Sequence, residues 1–458
     1  MLEQFFEARK RTYPQSVKGK FRKLKWILNS VFLTIYFLTP FIRFDRSGAV
    51  SNQAVLIDLP GSKAYFFFIE IWPQEVYYLA GILIIAAIAL FFITSLFGRI
   101  WCGYACFQTV WTDIFVGLER VFQGDRNQRI ILDRKKNFEK FWRKSLTHLS
   151  WIIVSVLTGY GFVCYFNDAI LLTKNIFHGE FDTNICGWIL GIAFSTYIMA
   201  GFAREQVCAY MCPYARFQSA MFDKNTLIIT YDEKRGEPRG KKGQGNGDCI
   251  DCKQCVVVCP TGIDIRNGLQ MECIACGLCV DACDNIMQKI GLPEGLIRYD
   301  TMDHLLDPTP AKKFKILKPR TFFYSAVLAL VCGIMLRSLI LKPTLEIAAI
   351  PDRNPIFVTL SDGSIRNGYT IKIANKTHEK KIFGLKITAP ESAILKFQNG
   401  DLTNLEIAPN NVGNFKVFAI LPKDLVAKSD DGRGLLEFVV TDENGEIAEK
   451  IQAVFIGK

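Results

Sequence analysis

Histidine is scarce in this chain of 458 residues: there are four, His148, His178, His304 and His378. No apolar run carries two of them at mid-depth, so a transmembrane b-type haem with two histidine ligands finds no ligands here. Cys-x-x-Cys-His is absent, which excludes covalently attached c-type haem. No glycine-rich phosphate loop occurs, so nucleotide hydrolysis and nicotinamide binding have no support. The basic N-terminus lacks a short apolar core ending in a small-residue cleavage site, and no removable signal peptide is expected. Soluble-enzyme composition is missing too, since 50% of the residues are hydrophobic and 36 are phenylalanine. The net charge of +11 falls between apolar runs, which argues for a membrane and against nucleic acid.

Cysteine, by contrast, is plentiful. Eight of the fifteen stand in one duplicated run, Cys249-x2-Cys252-x2-Cys255-x3-Cys259-Pro260 and then Cys273-x2-Cys276-x2-Cys279-x3-Cys283. Bacterial ferredoxins hold two 4Fe–4S clusters on this spacing, and the fourth cysteine of each run ligates the other run's cluster. One cluster is therefore expected on Cys249, Cys252, Cys255 and Cys283, the other on Cys273, Cys276, Cys279 and Cys259. Two zinc knuckles would need only paired CxxC steps, leaving the third CxxC step, the x3 step and Pro260 unexplained. Asp284 follows the last cysteine where proline often stands, altering the local turn but removing no ligand. Cluster thiolates call for a reducing compartment.

Five apolar runs are long enough to span a bilayer: about 24–44, 76–97, 149–166, 185–203 and 322–341. Lys and Arg set the orientation. Residues 1–25 carry eight of them, Arg9, Lys10, Arg11, Lys18, Lys20, Arg22, Lys23 and Lys25. Segment 45–74 has only Arg46 and Lys63, 98–145 has ten, 167–184 has Lys174 alone, and 204–320 is again rich. The pattern predicts an internal N-terminus, an internal cluster segment and an external C-terminus. Gly159 and Gly161 interrupt the third run; if it did not cross, the clusters would face the oxidising side, against loop charge and cluster chemistry alike.

The expected organisation is a basic cytoplasmic N-terminus (1–23), a four-helix membrane domain with two Cys-x3-Cys motifs (24–234) and a linker (235–247). A dicluster ferredoxin-like domain (248–300), a connector (301–320), a fifth transmembrane helix (321–341) and an outer immunoglobulin-like domain (342–458) follow. The fold class is thus a multi-domain membrane protein: an α-helical bundle with an internal repeat, a two-cluster ferredoxin-like module and an all-β sandwich. The sandwich rests on alternating runs at 369–373, 382–387, 415–420 and 435–440, with turn signals at Asp362-Gly363, Asn399-Gly400 and Asn444-Gly445. It contains no cysteine and one histidine, His378, so it reads as a binding or scaffolding module.

The repeat lies in Arg99-Ile-Trp-Cys102-Gly-Tyr-Ala-Cys106, followed by Phe107-Gln108, and Arg204-Glu-Gln-Val-Cys208-Ala-Tyr-Met-Cys212-Pro213, followed by Phe217-Gln218. Each closes a span at the cluster side, so the repeat axis should lie along the membrane normal. At i,i+4 spacing both sulfurs of a pair face one way on a helix. Duplication would bring Cys102, Cys106, Cys208 and Cys212 near one another, where they could bind a soft metal ion such as copper(I) or cycle as dithiols. Buried cysteine can also be simple packing, which is the reading for Cys332. Cys164 and Cys186 both fall near the outer face, where a disulfide is open to them. After Cys106, apolar residues at 107, 110, 111, 114, 115, 118 and 122 predict an amphipathic helix, with Asp113, Glu119 and Arg120 opposite. It lies along the membrane or packs on the cluster domain.

On these motifs the chain resembles the FixG/RdxA/CcoG family of accessory proteins for cbb-type cytochrome oxidase assembly. The matching stretches are Trp101-Cys-Gly-Tyr-Ala-Cys106 with Gln108-Thr-Val-Trp-Thr-Asp113, and Cys208-Ala-Tyr-Met-Cys-Pro-Tyr-Ala-Arg-Phe-Gln-Ser-Ala-Met-Phe222. Residues 247–283 and Gly295-Leu-Ile-Arg-Tyr299 match as well; Phe107 stands where the family usually has proline. The resemblance implies a cupric reductase of the bacterial inner membrane, multi-pass, with cytoplasmic clusters and a periplasmic C-terminal domain, supplying copper(I) for oxidase maturation. It implies copper ions, oxidase assembly factors or a copper transporter, and a cytoplasmic electron donor as partners; a homodimer stays open. The residues alone give a two-cluster electron carrier in a membrane. A quinol dehydrogenase subunit shares the paired membrane motifs but generally lacks an outer sandwich, and a non-catalytic assembly scaffold is the alternative outside redox chemistry.

Overall fold

The computed structural model describes residues 12–46, 51–240, 247–307, 314–390, 393–398, 402–422, 433–443 and 445–457, the side chains of 216, 219 and 220 excepted. Arg9, Lys10, Arg11, the linker centre at 241–246, Pro308, Pro310, Asn399-Gly400 and Asn444 lie outside them. Two compact units result, residues 1–44 with 53–335, and residues 45–52 with 336–458.

Among the described residues five helical stretches are long and apolar enough to cross a membrane: Lys20–Phe41, Pro73–Phe97, Phe138–Val163 and Thr183–Met211 in the first unit, and Pro319–Ile340, whose last residues from 336 on belong to the second. Their outward side chains are apolar, Leu83, Trp188, Phe194 and Leu330 among them, a surface that suits lipid rather than water. The first helix proper, α1 (Lys20–Leu38), starts four residues earlier than its hydropathy suggests. The second, α2 (Tyr77–Phe97), has no charged residue and stops at Gly98, whose φ of +58° is left-handed. The amphipathic stretch forms α3 (Phe107–Gln123).

The third span is one unbroken helix, α4 (Phe138–Val163), running through both glycines. Gly159 does not interrupt it. A Cβ there would collide with the Ile189 carbonyl of α5 (Thr183–Ile198), so the glycine lets two spans approach closely. Segment 45–74, unassigned above, holds a three-stranded antiparallel sheet of β1 (Val55–Asp58), β2 (Lys63–Phe66) and β3 (Ile69–Ile71). Cys164 and Cys186 are both free thiols, and Cys332 on the fifth span is exposed rather than packed.

The cluster module is framed by β4 (Ile228–Tyr231) and β5 (Ile297–Asp300), antiparallel with Ile229 opposite Tyr299. The first strand stands well before the expected linker. Within that linker Gly236 is buried, and Arg235 pairs with Asp248 at 2.5 Å and donates to the Glu294 carbonyl at 2.9 Å. That end is folded onto the module, because a guanidinium with a carboxylate and carbonyls in reach outweighs glycine freedom.

The second unit is a sandwich. One sheet runs β10 (Ile394–Phe397), β12 (Asn411–Leu421), β8 (Ile365–Asn375), β6 (Leu345–Pro351), with β7 (Val358–Thr359) also on β8. The other runs β11 (Leu405–Ile407), β9 (Lys381–Ala389), β13 (Arg433–Thr441), β14 (Ile447–Ile456). Alternate residues face inward: Tyr369, Ile371 and Ile373 from β8 meet Leu436, Phe438 and Val440 from β13. Tyr369 and Phe438 pack edge to face, centroids 5.3 Å apart. Phe438→Ala should destabilise this unit by about 3–5 kcal/mol. Calorimetry of the full-length protein should show one transition lowered while iron content stays unchanged.

Candidate redox site

The two cysteine runs fold into loops with matching backbones. Asp251 and Lys253 flank Cys252 at φ +51° and +56°; Ala275 and Gly277 flank Cys276 at +50° and +73°. Left-handed residues on both sides of the middle cysteine turn the chain tightly enough to bring successive thiols to one side. The second run continues into α6 (Leu278–Ile290), which carries Cys279 and Cys283 one turn apart. Asp284 lies inside this helix, where proline would remove a backbone donor, and it accepts the Gly295 amide at 2.9 Å.

Two cavities result. Cys249, Cys252, Cys255 and Cys283 line one, with Arg266 on its wall. Cys259, Cys273, Cys276 and Cys279 line the other, and Cys255 reaches this wall too. Each cavity thus gathers three thiols from one run and the fourth from the other. Among the described residues no three His, Cys, Asp or Glu side chains close on a single ion-sized point. Four thiols around a cavity, with no imidazole, suit a 4Fe–4S cluster and are too widely set for one zinc ion. Burial pushes Cys255, Cys273 and Cys283 up to about 12, so iron must displace protons to bind there.

The first membrane motif rests on the second cavity's loop. Gly103 makes the contact: a Cβ there would stand 2.6 Å from the Ile274 carbonyl oxygen and 3.0 Å from that of Ala275. Tyr104 donates its hydroxyl to the Cys276 carbonyl at 3.0 Å, and Tyr299 donates to that of Ala275 at 2.6 Å. Arg99 donates to the Cys273 carbonyl at 3.4 Å and to the Ala215 carbonyl of the second repeat at 2.6 Å. Cys102 and Cys208 pack against a buried group that includes Cys276 and Ile274.

The i,i+4 expectation needs correction. Cys102 ends up on a short helix and Cys208 on a π-helical turn, but Cys106 and Cys212 leave the helix as extended N-caps of the segments that follow. Their φ/ψ values, −64°/126° and −78°/111°, are alike, so Phe107 makes the turn that Pro213 makes in the other repeat. The four thiols lie within electrostatic reach of one another without closing on one ion. The Cys102 thiol donates to Gln218 Oε1 of the other repeat at 3.4 Å. Burial pushes Cys102 up to about 11.

Sequence reasoning placed Asp113, Glu119 and Arg120 on an outward polar face. Asp113 and Glu119 are buried instead. Asp113 accepts Arg22 at 2.8 Å and faces Lys25 at 3.7 Å. Burial alone would raise its carboxyl, but Lys25 and Arg22 hold it below the usual carboxylate range. Glu119 binds Arg129 and takes Arg204 at 2.7 Å. Arg204 sits at φ +31° between π-helical segments Met199–Ala203 and Val207–Met211, an unfavourable backbone just before Cys208. Arg99 and Arg204 precede the first cysteine of each motif, so the repeat itself was the signal for both.

Comparison with known proteins places these features. A 4Fe-4S dicluster domain family matches residues 203–302, a 4Fe-4S binding domain family matches 79–124, and the "IG-like fold at C-terminal of FixG" matches 335–458. The chain is 40% identical to nitrogen fixation protein FixG of Rhizobium meliloti, over 94% of this chain and 90% of that one. It is 41% identical to protein RdxA of Cereibacter sphaeroides, over 100% and 99% of the two chains. The crystal structure of a FixG-related protein from Vibrio parahaemolyticus covers 25% of this chain and 97% of its own at 22% identity, TM-score 0.21. Thiol-lined cavities, apolar helices, the 4Fe-4S family matches and the FixG and RdxA relatives together describe a membrane iron–sulfur electron-transfer protein. The chain belongs to the FixG/RdxA family.

Proposed function

We propose that the chain passes single electrons from two 4Fe–4S clusters to a membrane thiol site, where copper(II) is reduced to copper(I). One observation carries the reading: Gly103 lies against the Ile274 carbonyl, so the motif bearing Cys102 and Cys106 touches the loop bearing Cys273 and Cys276. Cys249, Cys252, Cys255 and Cys283 would hold one cluster, and Cys273, Cys276, Cys279 and Cys259 the other. The bound clusters supply one-electron carriers. Arg99, Tyr104 and Tyr299 hold the loop carbonyls between the clusters and the thiols.

Sulfur favours copper(I) over copper(II), so Cys102, Cys106, Cys208 and Cys212 would make the reduction more favourable. Because they do not close on one ion, copper would pass over them on its way to oxidase assembly factors or a copper transporter. Loop charge supports cytoplasmic clusters, a cytoplasmic electron donor and an external sandwich in the bacterial inner membrane. A second reading has the four membrane thiols holding a further cluster. The 4Fe-4S binding domain match over 79–124, which encloses Cys102 and Cys106, favours it.

Anaerobically purified protein should contain about eight iron and eight acid-labile sulfide per chain. About twelve of each would favour the second reading, and stoichiometric zinc would defeat both. Cys283→Ser should disturb only the cluster whose other thiols are Cys249, Cys252 and Cys255, as resolved by electron paramagnetic resonance.

The double variant Cys208→Ser/Cys212→Ser should keep both clusters yet reduce copper(II) at least about tenfold more slowly in stopped flow. Cys332→Ser should react at the wild-type rate. If the double variant is as fast as wild type, copper takes electrons elsewhere; if a quinone analogue is reduced and copper is not, the protein belongs with quinol chemistry.

Reporter fusions after Lys144 and Pro310 should read cytoplasmic, and those after Lys63, Lys174 and Lys458 external. A cytoplasmic reading at Lys458 would mean that one of the five helices does not cross.

A further inference from the structure

Cys208 stands on the wall of a narrow cavity of about 50 Å³ whose charged lining is Arg22, Lys25, Arg120 and Arg204 against Asp113 and Glu205. A second, roomier cavity of about 330 Å³ shares Thr12, Arg204 and Glu205 with it and adds Lys144, His148 and Glu119. Five Lys or Arg side chains thus face three carboxylates along the two. Asp113 takes Arg22 and Lys25, Glu119 takes Arg204 together with Arg129, and Lys144 pairs with Asp133 outside the lining. Arg120 forms no ion pair among the described residues. It donates one Nη2 bond to the Pro14 carbonyl at 3.1 Å, and its Nε is buried with no hydrogen-bond partner. Burial and the neighbouring Arg22 both act against its charge.

An excess of buried guanidinium at the approach to a thiol repels a bare dication and attracts an oxyanion. We propose that these cavities bind the carboxylates of an anionic copper(II) chelate, so that the substrate reaches Cys208 as a polycarboxylate complex and not as the hydrated ion. The inference rests on the thiols being the reduction site. In the step it implies, one electron from a reduced 4Fe–4S cluster converts copper(II) to copper(I). A copper–carboxylate bond breaks, a copper–Sγ bond to Cys208 forms, and the thiol proton goes to the released carboxylate. Arg120 and Lys144 hold the chelate while this happens.

The charge preference can be read without copper. Full-length holoprotein in detergent is treated with an anionic sulfonatoethyl or a cationic trimethylammonioethyl methanethiosulfonate, and labelling of Cys208 is followed by peptide mass spectrometry. Rates are divided by those for free glutathione. The anionic reagent should be favoured about tenfold at Cys208, citrate should slow it, and Arg120→Gln should diminish both effects. Lys144→Gln, which gives up the ion pair with Asp133 on a side chain 25% exposed, gives a second variant should Arg120→Gln lose its clusters. An equal rate for the two reagents, or a cationic preference, would overturn the proposal even if copper reduction stands. In a parallel assay copper(II) citrate should be reduced faster than the neutral bis-glycinate complex, with the advantage lost in Arg120→Gln. If neither copper complex is reduced while the anionic preference at Cys208 holds, the copper reading falls and the anion site stands.

Discussion

A buried carboxylate, Asp281, joins the membrane domain to the cluster module. It sits on α6 between Cys279 and Cys283 and accepts the backbone amides of Phe21 at 3.2 Å and Arg22 at 2.8 Å. These are first-turn donors of α1 that no intrahelical carbonyl can satisfy. Gly19 permits the approach, since a Cβ there would overlap the Asp281 side chain. One turn on, Arg22 and Lys25 close on Asp113 of α3. The start of the first span is thus held through its backbone by the cluster helix and through its side chains by the helix after the first cysteine motif. Losing either carboxylate would strand buried donors or cations, which costs more than the bond itself contributes.

Some of this could be read before any coordinates. Spacing located the eight cysteines that line the two thiol cavities, because geometry around a polynuclear centre constrains sequence directly, three thiols from a tight loop and one from afar. Alternation located β8, β9, β12 and β13 because one face of each is buried in the same sandwich core. Charge around the first cysteine motif was misread. Asp113 and Glu119 look solvated on a helical wheel, but their partners lie 91 and 85 residues away at Arg22 and Arg204, and no local pattern announces them.

Glycine was misread for a related reason. Gly159 looks like a breaker in a one-dimensional hydropathy trace, yet what it does is set the separation of two spans. The cysteine pairs taught the reverse lesson. Their repetition was visible, but helical periodicity does not extend through Cys106 and Cys212, where the chain turns extended. Sequence symmetry survived as backbone symmetry, carried by a turn that phenylalanine and proline make equally well.

The contact at Gly103 has a kinetic consequence. Tunnelling rates fall steeply with separation, and side chains that change rotamer modulate that separation from moment to moment. Here Gly103 meets the Ile274 and Ala275 carbonyls main chain against main chain, offering no atom that could swing aside. The gap is therefore set by packing, and motions of the surrounding helices that keep this packing intact leave it unchanged. Any residue larger than glycine would act as a spacer between motif and loop without removing a single cysteine.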